Sequence, residues 1–303
     1  MSENEIIIKT NHLTYRYGDL TAVSDLTLAV QQGEIFGFLG PNGAGKTTTI
    51  RTLMNFLFPS AGTATLFGLD SRQDSMAIRR RVGYLPAELT LWENWRGTQY
   101  IEWLEKVHQK PLLIEAERLA ALLDYDLKHS LRGLSTGMRR KMGLIASMVH
   151  QPELLIMDEP TVGLDPLMQQ VFNGLMREVQ KSGRTVFLSS HNLPEVETIC
   201  DRVGIIRAGR LEAVESVEKL THVAFRWLKL TFAQAVDPSK FDNMPGVNKV
   251  IAEKDMLRIQ LSSAADMKAL LNQAVLSDVR DLDMEHPTLE EIFLAYYGED
   301  KDK

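Results

Sequence analysis

The 303-residue sequence predicts an α/β fold followed by a smaller α+β unit, and three observations carry that expectation. Over roughly the first 215 residues, short apolar runs alternate with helical patterns, the rhythm of a largely parallel sheet covered by helices. Within that stretch, residues 92–150 lose the strand signals and read as mostly helical, which predicts a helical insert of about residues 90–150. After Arg210 the character changes again, toward short strands and two helices.

In order along the chain, Ile6-Ile7-Ile8 and Leu26 to Val30 read as strands. Ile35 to Leu39 is a short apolar strand entering a glycine-rich turn. The stretch from Gly45 reads as a helix that stops near Pro59-Ser60-Ala61-Gly62, where proline and glycine end helical order. Val82 to Leu85, Leu154 to Met157 and Thr185 to Ser189 are compact apolar runs, as expected of buried central strands. Residues 223–232, 247–252 and 255–262 read as strands, and 263–275 and 288–297 as helices. The domains are therefore expected at 1–214 and 215–303, the second a small α+β unit of ferredoxin-like type with a regulatory or dimerising use. Residues 299–303 read as a charged tail.

Composition excludes several classes. Forty acidic against 34 basic residues give a net charge of −6, which argues against a nucleic-acid partner gripped by bulk charge. The single cysteine, Cys200, excludes an internal disulfide framework and a multi-cysteine metal site, and reads as a small core residue in a reducing compartment. His108, His129 and His150 have no metal-ligand spacing. No apolar run approaches the roughly 18 residues of a spanning helix, and Met1 is followed by Ser2-Glu3-Asn4-Glu5 rather than a basic-then-apolar leader. A cytoplasmic chain able to dock on a membrane protein is expected.

Gly40-Pro41-Asn42-Gly43-Ala44-Gly45-Lys46-Thr47, followed by Thr48, fits G-x-x-x-x-G-K-[ST] between a strand and a helix, the setting that motif needs. Its glycines let successive N–H groups converge on an anion, and the helix N-terminus adds free donors and the positive end of its dipole. Lys46 is then expected to reach the β- and γ-phosphates of a nucleotide, and Thr47 to ligate Mg²⁺. Leu154 to Met157 leads into Asp158 and Glu159: the first suits the Mg²⁺ shell, the second the activation of an attacking water. Leu134-Ser135-Thr136-Gly137-Met138 precedes Arg139-Arg140-Lys141 and an apolar helical stretch. Its plain reading is a serine-capped helix with a basic, solvated first turn. Arg79-Arg80-Arg81 reads as a solvated helix end.

With these motifs in this order, the chain resembles the ATP-binding subunit of an ABC transporter. The 134–138 segment is similar to that family's signature, usually Leu-Ser-Gly-Gly-Gln, with Thr136 and Met138 as departures. The resemblance implies that Ser135, Thr136 and Gly137 face the ATP of a second copy. It also implies that Asp165 in Gly163-Leu164-Asp165 belongs to the D-loop, that His191 is the switch histidine, and that Tyr17 stacks on adenine. Glu159, His191 and Lys46 are then the catalytic set. The family commonly has glutamine after the strand at 82–85; here Ala87 stands in its place, and Glu88 is the side chain expected to substitute in coupling.

The resemblance further implies a P-loop ATPase core with an antiparallel β edge. It implies Mg-dependent ATP hydrolysis by two copies head to tail, and a separate integral membrane permease subunit at the cytoplasmic face of the cell membrane. The segment from Pro287 to Gly298 is similar to the tail of drug- and antibiotic-exporter ATPases. A ribosome-acting ABC-F factor is expected to carry two such units and a charged linker, and a DNA-repair or chromosome ATPase coiled-coil heptads or zinc-binding cysteines. Trp92, Trp95, Tyr100 and Trp103 bring together three of the four tryptophans. They read as the packing of the insert or as a groove for a helix of the membrane subunit.

Overall fold

The computed structural model describes residues 5–219, 225–262, 264–285, 287 and 291. It falls into two compact units, Met1–Glu215 and Ser216–Lys303. The first opens with two long antiparallel strands, β1 (Ile6–Tyr17) and β2 (Leu20–Gln31), which bury alternate apolar residues such as Ile8, Leu13, Leu26 and Val30. Then come β3 (Ile35–Leu39), buried on both faces, and α1 (Lys46–Leu53). Next are β4 (Ala61–Leu66), β5 (Leu69–Asp70), α2 (Ser75–Arg81) and β6 (Val82–Leu85).

The helical insert is built from α3 (Gly97–His108), α4 (Leu113–Leu122) and α5 (Thr136–Met148). The core resumes with β7 (Leu154–Asp158), α6 (Pro166–Lys181), β8 (Thr185–Ser190), α7 (Leu193–Ile199), β9 (Arg202–Arg207) and β10 (Arg210–Ser216).

Two sheets result. One, in the order β2-β1-β4-β5, is antiparallel; the other, in the order β10-β9-β3-β8-β7-β6, is parallel from β9 to β6. The α/β core, its antiparallel edge, the helical insert and the small second unit are all present. The main core lies between the sheets, with Leu13, Val23, Phe36, Phe38, Ile50, Ile156 and Phe187 buried in it. Phe187 stacks on Phe36 at a ring separation of 5.8 Å and meets Phe38 at a tilt, 5.5 Å away. The insert packs onto this core because Gly83 of β6 has no side chain. A Cβ there would lie 2.0 Å from the Ser147 carbonyl of α5.

Four expectations need correction. The helix from Gly45 ends at Leu53, well before Pro59: Asn55 turns left-handed at φ 55°, and residues from Ala61 enter β4. β1 and β2 run to 12 residues each, beyond the short apolar runs, because polar positions on their outer faces pair as well as apolar ones. Arg79 is half-buried rather than solvated and donates to the carbonyls of Met54 and Asn55 just past α1, while its guanidinium sits 4.9 Å from the Phe56 ring. Arg140, also read as solvated, is buried at 5% exposure.

The second unit runs β11 (Arg226–Phe232), α8 (Ser239–Asp242), β12 (Val247–Glu253), β13 (Met256–Leu261), α9 (Met267–Leu276) and β14 (Val279–Glu285). Its sheet order is β12-β13-β11-β14, a split β-α-β arrangement. Leu228, Leu230, Phe232, Phe241, Ile259 and Leu270 form its core. The helix expected at 288–297, the charged tail at 299–303 and residues 223, 224 and 263 lie outside the described residues, apart from Glu291.

His150 lies in the first unit and is buried, with Nε2 3.3 Å from the Val82 carbonyl, Nδ1 without a hydrogen-bond partner among the described residues, and its ring stacked on His108 at 4.1 Å. Burial, then the neighbouring His108 and Lys110, push it down to about 4, opposed by the Val82 carbonyl. An unfolded histidine takes up its proton near pH 6.5, so between pH 6.5 and 4 the unfolded chain binds the extra proton and stability falls as pH falls. The loss is of order 3 kcal/mol by pH 4. Melting curves from pH 7 to 4.5 should therefore slope less for His150→Phe than for the wild type, and parallel slopes would exclude His150 as the cause.

Candidate functional site

Strand register brings four segments to one edge of the parallel sheet. Leu39 pairs with Ser190, Asp158 with Ser189, and Leu85 with Met157, so β3, β6, β7 and β8 end at the same level. The chain therefore delivers the Gly40–Thr48 turn, Ala87, Glu159 and His191 to the carboxyl ends of the strands, where open α/β sheets hold ligands. There a cavity of about 290 Å³ is lined by Ala22, residues 41–48, Ala87 and Glu159.

The turn shapes this cavity locally. Gly45 takes φ 108°, and a Cβ on it would lie 2.5 Å from the Ala22 carbonyl, so only glycine fits. α1 begins at Lys46, immediately after, and its first-turn amides have no intrahelical acceptor. Lys46 is 6% exposed; its Nζ donates to the carbonyls of Gly40 (2.5 Å) and Pro41 (3.2 Å) and pairs with Glu159 Oε1 at 3.2 Å. Free amides at a helix start and a buried ammonium make an anion site suited to a phosphate chain.

Asp158 is fully buried. Its Oδ1 accepts from the Ser189 hydroxyl at 2.5 Å, while Oδ2 has no hydrogen-bond partner among the described residues. A buried carboxylate oxygen without a hydrogen bond is costly unless a cation takes it. Such an oxygen is a hard donor of the kind that holds Mg²⁺, as is the hydroxyl of Thr47 in the cavity lining. Glu159 follows at φ 50°, a left-handed conformation that costs a side-chain-bearing residue of order 1–3 kcal/mol. Its N–H donates to the Ser189 hydroxyl at 3.0 Å, so one serine holds both acidic residues. The Glu159 carboxylate meets the His191 Nδ1 at 2.8 Å through Oε2 and Lys46 through Oε1.

Of the remaining sequence-predicted residues, Ala87 belongs to the cavity lining and Ser135, Thr136, Gly137, Asp165, Tyr17 and Glu88 lie apart from it. Ser135 caps α5, its hydroxyl accepting from the Met138 N–H at 3.2 Å, with Thr136 and Gly137 in the first turn. Asp165 caps α6 in the same way, accepting from the Met168 N–H at 2.9 Å. Tyr17 is 45% exposed at the end of β1, edge-on to Tyr15 at 4.7 Å. Ala87 reaches the cavity; Glu88 is exposed and does not line it. Trp92 stands at the centre of the aromatic cluster, 4.4, 5.5 and 4.7 Å from Trp95, Tyr100 and Trp103, and is itself 45% exposed.

Sequence reasoning passed over two residues. Ser189 was legible only as a strand residue, and its role comes from the β7–β8 pairing. Arg140 carried a signal: it lies three, four and eight positions before buried Gly143, Leu144 and Met148, on the inward face of α5.

Comparison with known proteins agrees with this arrangement. The model of the ABC transporter family matches residues 23–162, and that of the DrrA1-3-like ATP-binding protein C-terminal domain matches residues 224–297. The chain is 38% identical to the bacitracin transport ATP-binding protein BcrA of Bacillus licheniformis over 209 residues, 68% of each chain. It is 32% identical to the daunorubicin resistance ATP-binding protein DrrA3 of Streptomyces coeruleorubidus over 298 residues, 94% of each. A solved ATP-binding subunit of an ABC transporter superposes with a TM-score of 0.66 at 27% identity, covering 71% of this chain and 91% of that one. A phosphate cradle, paired carboxylates and a histidine on one sheet edge, in a chain that aligns with such proteins through both units, make this an ATP-hydrolysing ATP-binding protein of the ABC transporter family.

Proposed function

We propose that this chain is the motor subunit of an exporter of the drug or antibiotic type. Two copies pair head to tail around two ATP molecules with Mg²⁺ and drive a separate integral membrane permease from the cytoplasmic face of the cell membrane. The observation that carries the transport reading is the extent of the likeness to DrrA3, which runs through the second unit as well as the ATPase core. Among the described residues no helix is long and apolar enough to cross a membrane, in keeping with a separate membrane subunit.

In this reading the P-loop amides and Lys46 bind the phosphates, and Thr47 and Asp158 would hold the metal. Bound Mg²⁺ would neutralise charge on the phosphate oxygens. Glu159 accepts the proton of the attacking water, and His191, hydrogen-bonded to it, keeps the carboxylate aimed at the cavity. Ser135, Thr136 and Gly137 of one copy close over the ATP of the other, the capped start of α5 facing the γ-phosphate. Asp165 lies at the contact between copies, and Tyr17 stacks on the adenine. The loop bearing Ala87 and Glu88 passes movement to the insert, whose aromatic cluster receives the permease.

Mixing Ser135→Arg with Lys46→Ala chains should restore ATP-dependent dimerisation and part of the ATPase activity, since each mixed pair keeps one intact interfacial site. Full hydrolysis by a monomer would exclude the paired arrangement. Stimulation of turnover by membrane vesicles containing the permease, but not by ribosomes or DNA, is the expected outcome for transport; the reverse pattern would favour a soluble ABC-type ATPase.

A further inference from the structure

We propose that Arg140 is a positioning residue that ties the loop after β6 to α5, so that movement of that helix reaches the wall of the phosphate cavity at Ala87. The inference rests on the nucleotide reading above and adds a residue to it. The guanidinium leaves α5 on its buried face. Nη1 donates to the Pro86 carbonyl and Nη2 to the Ala87 carbonyl, both at 2.8 Å, and Nε donates to the Val162 carbonyl at 3.4 Å. Ala87 lines the cavity, and Val162 lies three residues past Glu159. One planar fork therefore joins the insert to two segments that border the site.

Burial of this cation is costly, and the three hydrogen bonds it makes all go to backbone carbonyls and none to a carboxylate. Burial pushes Arg140 below its ordinary value, opposed at longer range by Asp158 and Glu159. A leucine or methionine would fill the space without desolvating a charge, but neither could hold three carbonyls. Ala87 has no polar side chain, so its backbone carbonyl is the handle by which a neighbouring element can grip this part of the wall. The fork takes it together with the carbonyl of Pro86.

The start of α5 is also fastened at a second point. A Cβ on Gly137 would lie 2.8 Å from the Gly163 carbonyl, and a Cβ on Gly163 would lie 3.0 Å from Thr136 Cγ2. The helix thus approaches the loop after Glu159 closely enough that neither glycine has space for a side chain. A shift of the helix would therefore be passed to residues 86–87 through the fork and to residues 162–163 through this close approach. Lysine, a point charge on a flexible stem, cannot reproduce the two parallel bonds of the fork.

The test compares wild type, Arg140→Lys and Arg140→Met as full-length chains in a Trp227→Phe background, which leaves only the three tryptophans at 92, 95 and 103. ATP affinity, KM, kcat, melting temperature and the change in tryptophan emission on adding ATP are measured. Both variants should bind ATP within about twofold of wild type, lose about tenfold or more in kcat, and show a smaller emission change than wild type. Arg140→Lys with wild-type kcat overturns the inference. Parallel loss of ATP affinity and kcat also overturns it, since Arg140 would then only prop the cavity open. If Arg140→Met fails to fold, as its melting curve would show, Arg140→Lys decides the matter. Lys46→Ala, run alongside, separates the two levels. If Lys46→Ala loses ATP and Arg140→Lys behaves as wild type, this inference alone fails; undiminished ATP binding by Lys46→Ala overturns the nucleotide reading beneath it.

Discussion

Glu159→Gln should leave ATP bound and slow its hydrolysis by about 10²–10⁴, the usual contribution of a positioned general base. The carboxylate sits at the cavity between Lys46 Nζ at 3.2 Å and His191 Nδ1 at 2.8 Å, and its backbone is held in a left-handed conformation by the Ser189 hydroxyl. The amide preserves size and can still hydrogen-bond both neighbours, but it cannot take a proton from water. Binding relies on the P-loop amides and Lys46, which this change leaves in place. The ATP-loaded form should therefore accumulate, along with the closed pair of copies. Single-turnover hydrolysis with a parallel measurement of ATP affinity checks this, and near-normal turnover in a clean preparation would remove Glu159 from the role.

Lys46→Ala acts on the other half of the pair. A charge-assisted hydrogen bond contributes about 1.5–3 kcal/mol, so removing the ammonium should weaken ATP binding by roughly 10- to 150-fold and abolish measurable turnover. The side chain is 6% exposed and satisfied by two loop carbonyls and Glu159, so it is held at the cavity wall with little freedom to lose on binding. Titration calorimetry at fixed ionic strength measures the effect. Lys46→Met, which keeps the buried aliphatic stem, should behave alike; an affinity loss confined to the alanine variant would assign the effect to packing instead of charge.

The cradle was legible because every part of it is local. A strand, a glycine turn and a helix start are contiguous in Ile35 to Leu53, and residue chemistry alone assigns their task. The same holds for Asp158 and Glu159 at the end of an apolar strand. Strands with weaker patterns escaped. β14 is an edge strand of seven residues, four of them charged, and its apolar alternation is short, confined to Leu282 and Met284, which are themselves exposed. β9 was hidden by its position just after a helix, and β10 by its polar, half-exposed alternation.

Long-range partners decided the remainder. Arg140 stands in a run of three basic residues, where solvation is the ordinary outcome, yet it is buried because the carbonyls of Pro86, Ala87 and Val162, up to 54 positions away, accept its protons. Whether Ala87 or Glu88 meets the cavity depends on how the chain leaves β6, which no side-chain type encodes. The stacking of His108 on His150 follows from the packing of the insert onto the core. Sequence by itself determined the fold class, the glycine turn between a strand and a helix start at residues 40–48, and the two acidic residues at the end of a buried strand, since each arises from contiguous residues and their local propensities. Tertiary structure alone decided that Ser189 holds both carboxylates, that His191 and Lys46 grip Glu159 from two sides, and that Arg140 is a buried clamp. These depend on strand register and helix packing, and it is the burial of apolar surface over the whole core that sets both.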